Sequence, residues 1–382
     1  MRIVQIANFY GPSSGGIRTL MHHLGAGYMA EGQESFLIVP GERYERFAAP
    51  YGSVIALPSS PIPGSGGYRA ILDVDRVCTV LAEIMPDRIE VSDRLTLRSI
   101  GWWARAQGIP SLMWAHERVD GVLDAWLPGP WPTRRIADSW NRSTALRFDH
   151  VVCSTSFAAE EFERIKCANV TRVPLGVDLA MFHPGRRDEQ LRQTLLGEHA
   201  SSLIVMCSRL SREKRPERAI RAIQALSAEG LRPQLVVMGT GPLEERLRGL
   251  SLGLPITFLG HISERERVAD ILASADALIA PGPIETFGLA ALEALASGTA
   301  VVASKSSALS EILTIDTGRL VDGSVESFAQ GVREVLAMPA VQRSRAARDR
   351  ACEFPWSRTV ESMLILHGLR EDFQPRPPMI RS

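Results

Sequence analysis

Short runs rich in Val, Ile and Leu alternate with amphipathic segments from residue 2 onward, the pattern of strand and helix units that build a parallel sheet. Strands are expected over 2–7, 35–39, 88–91, 111–115 and 150–153. Helices are expected over 17–31, where Leu20, Leu24 and Tyr28 recur at four-residue spacing, and near 68–84, 95–106 and 134–146. The stretch 173–184 (VPLGVDLAMFHP) carries two prolines and a glycine without periodicity and reads as a linker. A second series follows, with strands over 203–207, 234–238, 256–259, 277–280 and 300–303 and a helix after each. Ser263 and Glu266 have the spacing of a capping box that would open one of these helices. Residues 356–369 are again helical, and 371–382 are expected to fray. The fold class is α/β: a Rossmann-like domain over 1–176, a second over 177–355, and a returning helix with its tail over 356–382. Two such domains imply a central cleft, because open parallel sheets bind ligands beyond the carboxyl ends of their strands.

A chain of 382 residues with 45% hydrophobic content can fill both cores. Lys plus Arg equals Asp plus Glu at 43 each, with no block of like charge, which argues against a nucleic-acid partner. No apolar run approaches 18 residues, and Gln5 and Asn8 interrupt any signal-peptide core, so a cytoplasmic location is expected. The five cysteines (Cys78, Cys153, Cys167, Cys207, Cys352) are scattered and suit neither a disulfide framework nor a thiolate metal site. They are expected to be small buried apolar residues. After the first strand the glycines run G-x-x-x-G-G, and Gly239-Thr-Gly241 lacks a third glycine, so the dinucleotide fingerprint fails. No metal or redox cofactor is expected.

The strongest chemical signal is PGPIETFGLAALEALASG over 281–298, directly after a buried strand. With Glu285 in the loop and a helix beginning near Phe287, the amides of Phe287, Gly288 and Leu289 would face the cleft where the helix dipole favours a phosphate. Gly288 permits close backbone approach, and Glu293, about two turns in, could accept from ribose hydroxyls. The plain alternative is a solvated helix with two surface acids. A second element, CSRLSREKRP over 207–216, ends the first strand of the second domain and offers Arg209 and Lys214. Only three lysines stand among 40 arginines, so Lys214 marks a place where a compact point charge is wanted. Charge-assisted hydrogen bonds of roughly 1.5 to 3 kcal/mol each would strengthen as a nucleoside diphosphate departs. The alternative is a basic loop screened by Glu213 and Glu217.

Taken with GPSSGG after the first strand, WAHE ending at Glu117, MGTGP over 238–242 and the FLGHIS strand end, these motifs resemble the retaining glycosyltransferases of the GT-B fold, of the glycosyltransferase family 4 type. The likeness runs almost end to end. It implies a sugar nucleotide in the second domain, with Arg209 and Lys214 on the diphosphate, Glu293 on the ribose and Glu285 on the transferred sugar. Ile262 belongs to the same nucleotide set, and Gly16 would offer its amide to a donor phosphate. The segments ANFYGPSSGGIRT, EVSDRLTLRSIG and APGPIETFGLAALEALASGTAVV further resemble actinobacterial mannosyltransferases that elongate phosphatidylinositol mannosides, of the PimC type. That implies GDP-mannose as donor and a glycolipid with two mannoses as acceptor, extended through an α-1,6 bond.

His116 is expected to position sugar hydroxyls, unless it is an ordinary satisfied polar residue. Asp93 and Arg94 either bind the acceptor or pair with each other. Glu264 either reads guanine or simply suits a helix start. Six of seven tryptophans lie between Trp102 and Trp140. Trp126, Trp131, Arg134 and Arg135 form a basic and aromatic mixture suited to an anionic membrane surface, on the inner face of the plasma membrane. The alternative keeps Trp102, Trp103 and Trp114 in the core and exposes only the 126–132 loop. Two rival functions remain open: transfer from a UDP-sugar or to a soluble acceptor, and a non-catalytic sugar-nucleotide or glycan binding protein on the same scaffold.

Overall fold

The computed structural model describes residues 1–11, 15–62, 67–127, 129 and 131–370, without the side chains of residues 125 and 126. It divides into two compact units: Met1–Leu175 together with the segment from Trp356, and Gly176–Pro355.

In the first unit the chain runs β1 (Arg2–Ile6), α1 (Gly16–Ala30), β2 (Glu34–Gly41), β3 (Glu45–Ala49), β4 (Gly52–Pro58), β5 (Ser60–Pro61), β6 (Arg69–Ala70), α2 (Val74–Ile84) and β7 (Arg88–Val91). It continues through α3 (Ile100–Ala106), β8 (Ser111–Ala115), α4 (Val119–Trp126), α5 (Thr133–Ala145), β9 (His150–Cys153), α6 (Ser156–Glu163) and β10 (Val170–Arg172). Eight strands form one sheet in the order β10-β9-β8-β7-β1-β2-β4-β3, parallel except for the edge pair β3 and β4. Val4, Ile6, Ile38, Val91 and Met113 of this sheet are buried against Val77 and Leu81 of α2 and Ile100 and Ala104 of α3. Each of these Val, Ile, Leu and Met side chains contributes about 1.5 to 3 kcal/mol of apolar burial.

The second unit contains α7 (Glu189–Leu196), β11 (Ser202–Cys207), α8 (Glu217–Ala228), β12 (Pro233–Met238), α9 (Glu244–Leu250), β13 (Ile256–Gly260), α10 (Arg265–Ser274) and β14 (Ala277–Ala280). It ends with α11 (Leu289–Ala296), β15 (Ala300–Ser304), β16 (Gly318–Val321), α12 (Val325–Ala337) and α13 (Ala340–Ala351). Its six strands are all parallel in the order β13-β12-β11-β14-β15-β16. The last helix, α14 (Trp356–Leu366), packs on the first unit, where Trp356 stacks on His23 with ring centroids 4.4 Å apart. Gly27 of α1 admits Val360, because a β-carbon there would lie 2.4 Å from a Val360 methyl.

Several local expectations are corrected. The helix expected over 68–84 begins at Val74, because the Asp73 carboxylate accepts the Arg76 amide as a cap, and Arg69–Ala70 pairs instead with Ser60–Pro61. The helix expected over 95–106 begins at Ile100, because Asp93 accepts the amides of Leu95, Thr96 and Leu97 and holds them in a turn. The capping box at Ser263 and Glu266 does not form: α10 opens at Arg265, and the Ser263 hydroxyl donates to Glu264. Of the cysteines Cys153 is fully buried, Cys78, Cys167 and Cys207 are half-buried, and Cys352 is exposed. The hairpin of β3 and β4 was not anticipated, since β3 lies on the sheet edge and lacks apolar alternation. The tail over 371–382 lies outside the described residues.

Each large sheet has one position where the chain reverses its direction of growth: between β1 and β7 in the first unit, and between β11 and β14 in the second. Loops leaving the carboxyl ends of strands diverge at such a point and leave a crevice for a ligand.

Candidate active site

The two strongest sequence motifs leave the strands that flank the second unit's reversal point. The 208–215 segment follows β11, and the 281–288 segment follows β14. Backbone hydrogen bonds tie the neighbouring loops together: Ser208 donates to the Met238 carbonyl at 3.1 Å, Leu210 to Thr240 at 2.9 Å and Gly239 to Gly260 at 2.7 Å. The MGTGP glycines serve this approach. A β-carbon on Gly239, whose φ is +128°, would sit 2.1 Å from the Ser208 carbonyl oxygen, and one on Gly241 2.5 Å from that of Leu210.

Lys214 and Glu285, 71 residues apart, meet in this crevice, with the ammonium donating to the carboxylate at 2.5 Å. Burial disfavours the ammonium, but the facing Glu285 carboxylate outweighs it and raises the lysine's pKa. Lys214 is therefore a fixed positive charge at neutral pH. Arg209 is more exposed and donates to Glu213 at 2.7 Å. Burial also opposes the charge on Glu213, yet donors from Ser211 and Arg209 keep its pKa low. Of the two screening acids expected in this loop, Glu213 acts on Arg209 and Glu217 lies 3.9 Å from Arg215.

Helix α11 opens two residues later than expected, at Leu289, with Gly288 as its cap at φ +89°. This left-handed conformation, with Leu309 and the Glu285 side chain packed close, is what requires glycine there. The Phe287 ring packs edge-on against Phe354 and is buried, so only its backbone is available to a ligand. The first amides of α11 have no intrahelical acceptor and provide an anion-binding end.

Glu293 is buried in an otherwise apolar helix, LAALEALA. Its carboxylate accepts from the Arg265 guanidinium at 2.6 Å. Burial pushes the Glu293 pKa up, and Arg265 opposes that shift. Arg265 escaped the sequence reading; its only signal was a cation at the first position of a helix, where the dipole disfavours one. Ile262 is half-buried beyond β13, and Glu264 is exposed at the α10 cap with its carboxylate engaged by Ser263.

In the first unit the corresponding reversal point lies beside Gly16, the first residue of α1, and the loop after β7. Residues 12–14 of the GPSSGG motif lie outside the described residues. Asp93 and Arg94 do not pair with each other. Asp93 caps the 95–97 turn, while buried Arg94 donates to Asn141 at 2.9 Å and to the Glu117 carbonyl, with Glu161 at 3.7 Å. Asp93 is committed to shaping the loop that follows β7, and Arg94 the loop that follows β8. His116 starts that loop with its ring parallel to Trp114, centroids 5.9 Å apart. Burial and the Arg94 charge lower its pKa to about 3, so the imidazole is neutral and can act as a hydrogen-bonding group.

On the same unit Trp131 is 59% exposed, and Arg134, Arg135 and Ile136 are exposed along the start of α5. The Trp126 side chain lies outside those described. Trp114 is buried as the core alternative required, but Trp102 is 48% exposed and flanked by Arg105 and Arg147, which corrects that alternative. Arg98 lies 4.0 Å over the Trp140 ring, in a groove shared with Arg135, Ile136, Ser139 and Ser143. Among the described residues no helix is long and apolar enough to cross a membrane, and no group of three His, Cys, Asp or Glu could hold a metal.

Comparisons with known proteins agree with this architecture. The family described as glycosyl transferases group 1 matches residues 187–351, and the glycosyl transferase 4-like domain matches 15–176. The chain is 50% identical over 369 residues, 96% of each chain, to a GDP-mannose-dependent alpha-(1-6)-phosphatidylinositol dimannoside mannosyltransferase of Mycobacterium tuberculosis. It is 31% identical to a D-inositol 3-phosphate glycosyltransferase of Actinosynnema mirum, covering 72% of this chain and 70% of that one. Among solved structures, sucrose-phosphate synthase from Thermosynechococcus elongatus superposes with a TM-score of 0.80 at 22% identity, over 96% of this chain and 98% of that one. Anabaena HepE in complex with UDP and glucose gives 0.75 at 16% identity, over 96% and 99%.

Proposed function

The chain belongs to the GT-B glycosyltransferases and is a glycosyltransferase, and from that premise we propose that it is a retaining α-mannosyltransferase using GDP-mannose. The acceptor is a phosphatidylinositol dimannoside, extended by an α-1,6-mannose at the cytoplasmic face of the membrane. The observation that carries this reading is the 50% identity, spanning 96% of both chains, to a protein of that named activity.

Retention with an α-linked donor requires either two inversions through a carboxylate nucleophile or attack from the face the leaving group vacates. No carboxylate in the motifs is a secure nucleophile, which favours the second route. The bond between the anomeric carbon and the β-phosphate oxygen breaks as the acceptor oxygen bonds to the same face. The acceptor's proton passes to the departing diphosphate. Lys214, Arg209 and the Phe287, Gly288 and Leu289 amides neutralise the charge that develops there. The Lys214 ammonium has three donors, enough to keep Glu285 and reach a phosphate. Glu285 and neutral His116 orient the sugar hydroxyls, Glu293 holds the ribose, Ile262 packs at the nucleotide, and Gly16 offers an amide to phosphate. No metal or redox cofactor enters this scheme.

Titration with GDP, UDP and ADP followed by thermal denaturation tests the donor. At a hundred times its dissociation constant a ligand adds about 2.7 kcal/mol to the folded state. GDP should raise Tm selectively; selective stabilisation by UDP would discard the donor and with it the acceptor. For the membrane, the exposed Trp131, Arg134 and Arg135 surface should carry the protein to the top of a gradient with vesicles containing anionic phospholipid. Trp131→Ser with Arg135→Ser should reduce flotation severalfold, and absence of flotation by the unaltered protein would remove this part of the reading.

A further inference from the structure

Glu293 poses a physical question. A carboxylate buried in a helix of Leu and Ala is costly unless something compensates it, and an apolar residue of similar volume would often be as stable. The titratable and charged groups that face it are Arg265 from the start of α10, Asp178 from the segment before α7, and the Cys207 thiol at the end of β11. Asp178 works against ionisation and the thiol is neutral, its pKa raised by burial to about 12. Of these three groups only Arg265 favours the charge. Its guanidinium is held between Glu293, at 2.6 Å, and the Phe182 ring, 4.9 Å from the ring centroid. A cation at the first position of a helix opposes the dipole, so its placement is set by this carboxylate.

We propose that Arg265 is a positioning residue of the nucleotide site: it keeps Glu293 a charged, aimed carboxylate that receives the ribose hydroxyls of the donor. The proposal rests on the reading of Glu293 as the ribose acceptor. One guanidinium edge suffices to orient one carboxylate oxygen, which leaves the other oxygen's lone pairs for a diol. Without Arg265 nothing opposes the upward shift that burial imposes, so the acid takes up a proton more readily and loses acceptor capacity, which is regained as pH rises.

The test compares GDP with its 2′,3′-dideoxy analogue by calorimetric titration from pH 6.5 to 9. The phosphate and base titrate alike in both ligands, so the affinity ratio isolates the ribose contact. In the unaltered protein the ratio should be about tenfold or more, as two hydrogen bonds to a charged group allow, and flat across this range. In Arg265→Ala and Arg265→Gln it should fall toward one at pH 6.5 and recover severalfold by pH 9. Arg265→Lys should retain most of it, and Glu293→Gln should lower it at every pH. A ratio that climbs with pH in the unaltered protein, or that stays high and flat in Arg265→Ala or Arg265→Gln while Glu293→Gln collapses it, overturns the role of Arg265 and leaves the ribose contact standing. A ratio near one in the unaltered protein removes the ribose contact itself, and the proposal with it.

Discussion

Replacing Lys214 by alanine should lower mannosyl transfer about 10²- to 10³-fold, the cost of losing one preorganised donor from a site where charge develops. Glu285→Gln should fall in the same range. It removes the carboxylate that fixes the ammonium 2.5 Å away, and with it the acceptor proposed for the mannose hydroxyls. Both side chains are about a quarter exposed and lie on loops at strand ends, so Tm should move by only a few degrees. The two changes should be far from additive: the double variant should be little slower than the worse single one, because each already dismantles the same pair. Arg209→Ala should cost less, since that guanidinium is 42% exposed and is shared with Glu213. Steady-state kinetics on purified protein settles the matter. Near-normal turnover in folded Lys214→Ala and Glu285→Gln would remove both from the chemistry.

Most of what positions this site was legible in the sequence because it is local. The strand and helix alternation, the glycines and the 281–298 motif each act within a few residues, whereas the strand order that sets the reversal point between β11 and β14 is a matter of long-range pairing. What stayed hidden is pairing across the chain. Nothing near Glu293 names Arg265, 28 residues earlier, and nothing near Lys214 names Glu285 as its fixed partner. The same holds for Asp93. Its sequence context, EVSDR at a strand end, suggests a ligand, while its carboxylate is spent on the amides of the next turn and on Asn8. Gly288 shows a second kind of gap: a glycine read as room for phosphate is required by its own left-handed backbone.

A pairing across most of the chain carries the largest expected effect on stability. Glu90, on the central strand β7, is fully buried and accepts from Tyr28 at 2.5 Å, from Gln5 and Trp114 at 3.2 Å, and meets His367, 277 residues away, at 2.7 Å. Removing one partner of such a network strands the others without solvent, at about 3 to 5 kcal/mol. Glu90→Ala should therefore lower Tm by roughly 10 °C and free α14 for proteolysis, and His367→Ala should approach it. Burial opposes the Glu90 charge, but His367, Tyr28 and Gln5 together hold its pKa below the ordinary carboxylate value. An acid with a depressed folded-state pKa stabilises fully above its unfolded value of 4.5 and loses that contribution as pH falls through the folded one. The Tm gap between the unaltered protein and Glu90→Gln should thus be constant near neutrality and narrow only in acid below about pH 4.5. A gap already closing between pH 8 and 6 would mean that Glu90 is not the ionised centre of this cluster. Since His367 follows α14, this carboxylate fastens that helix to the sheet that presents His116.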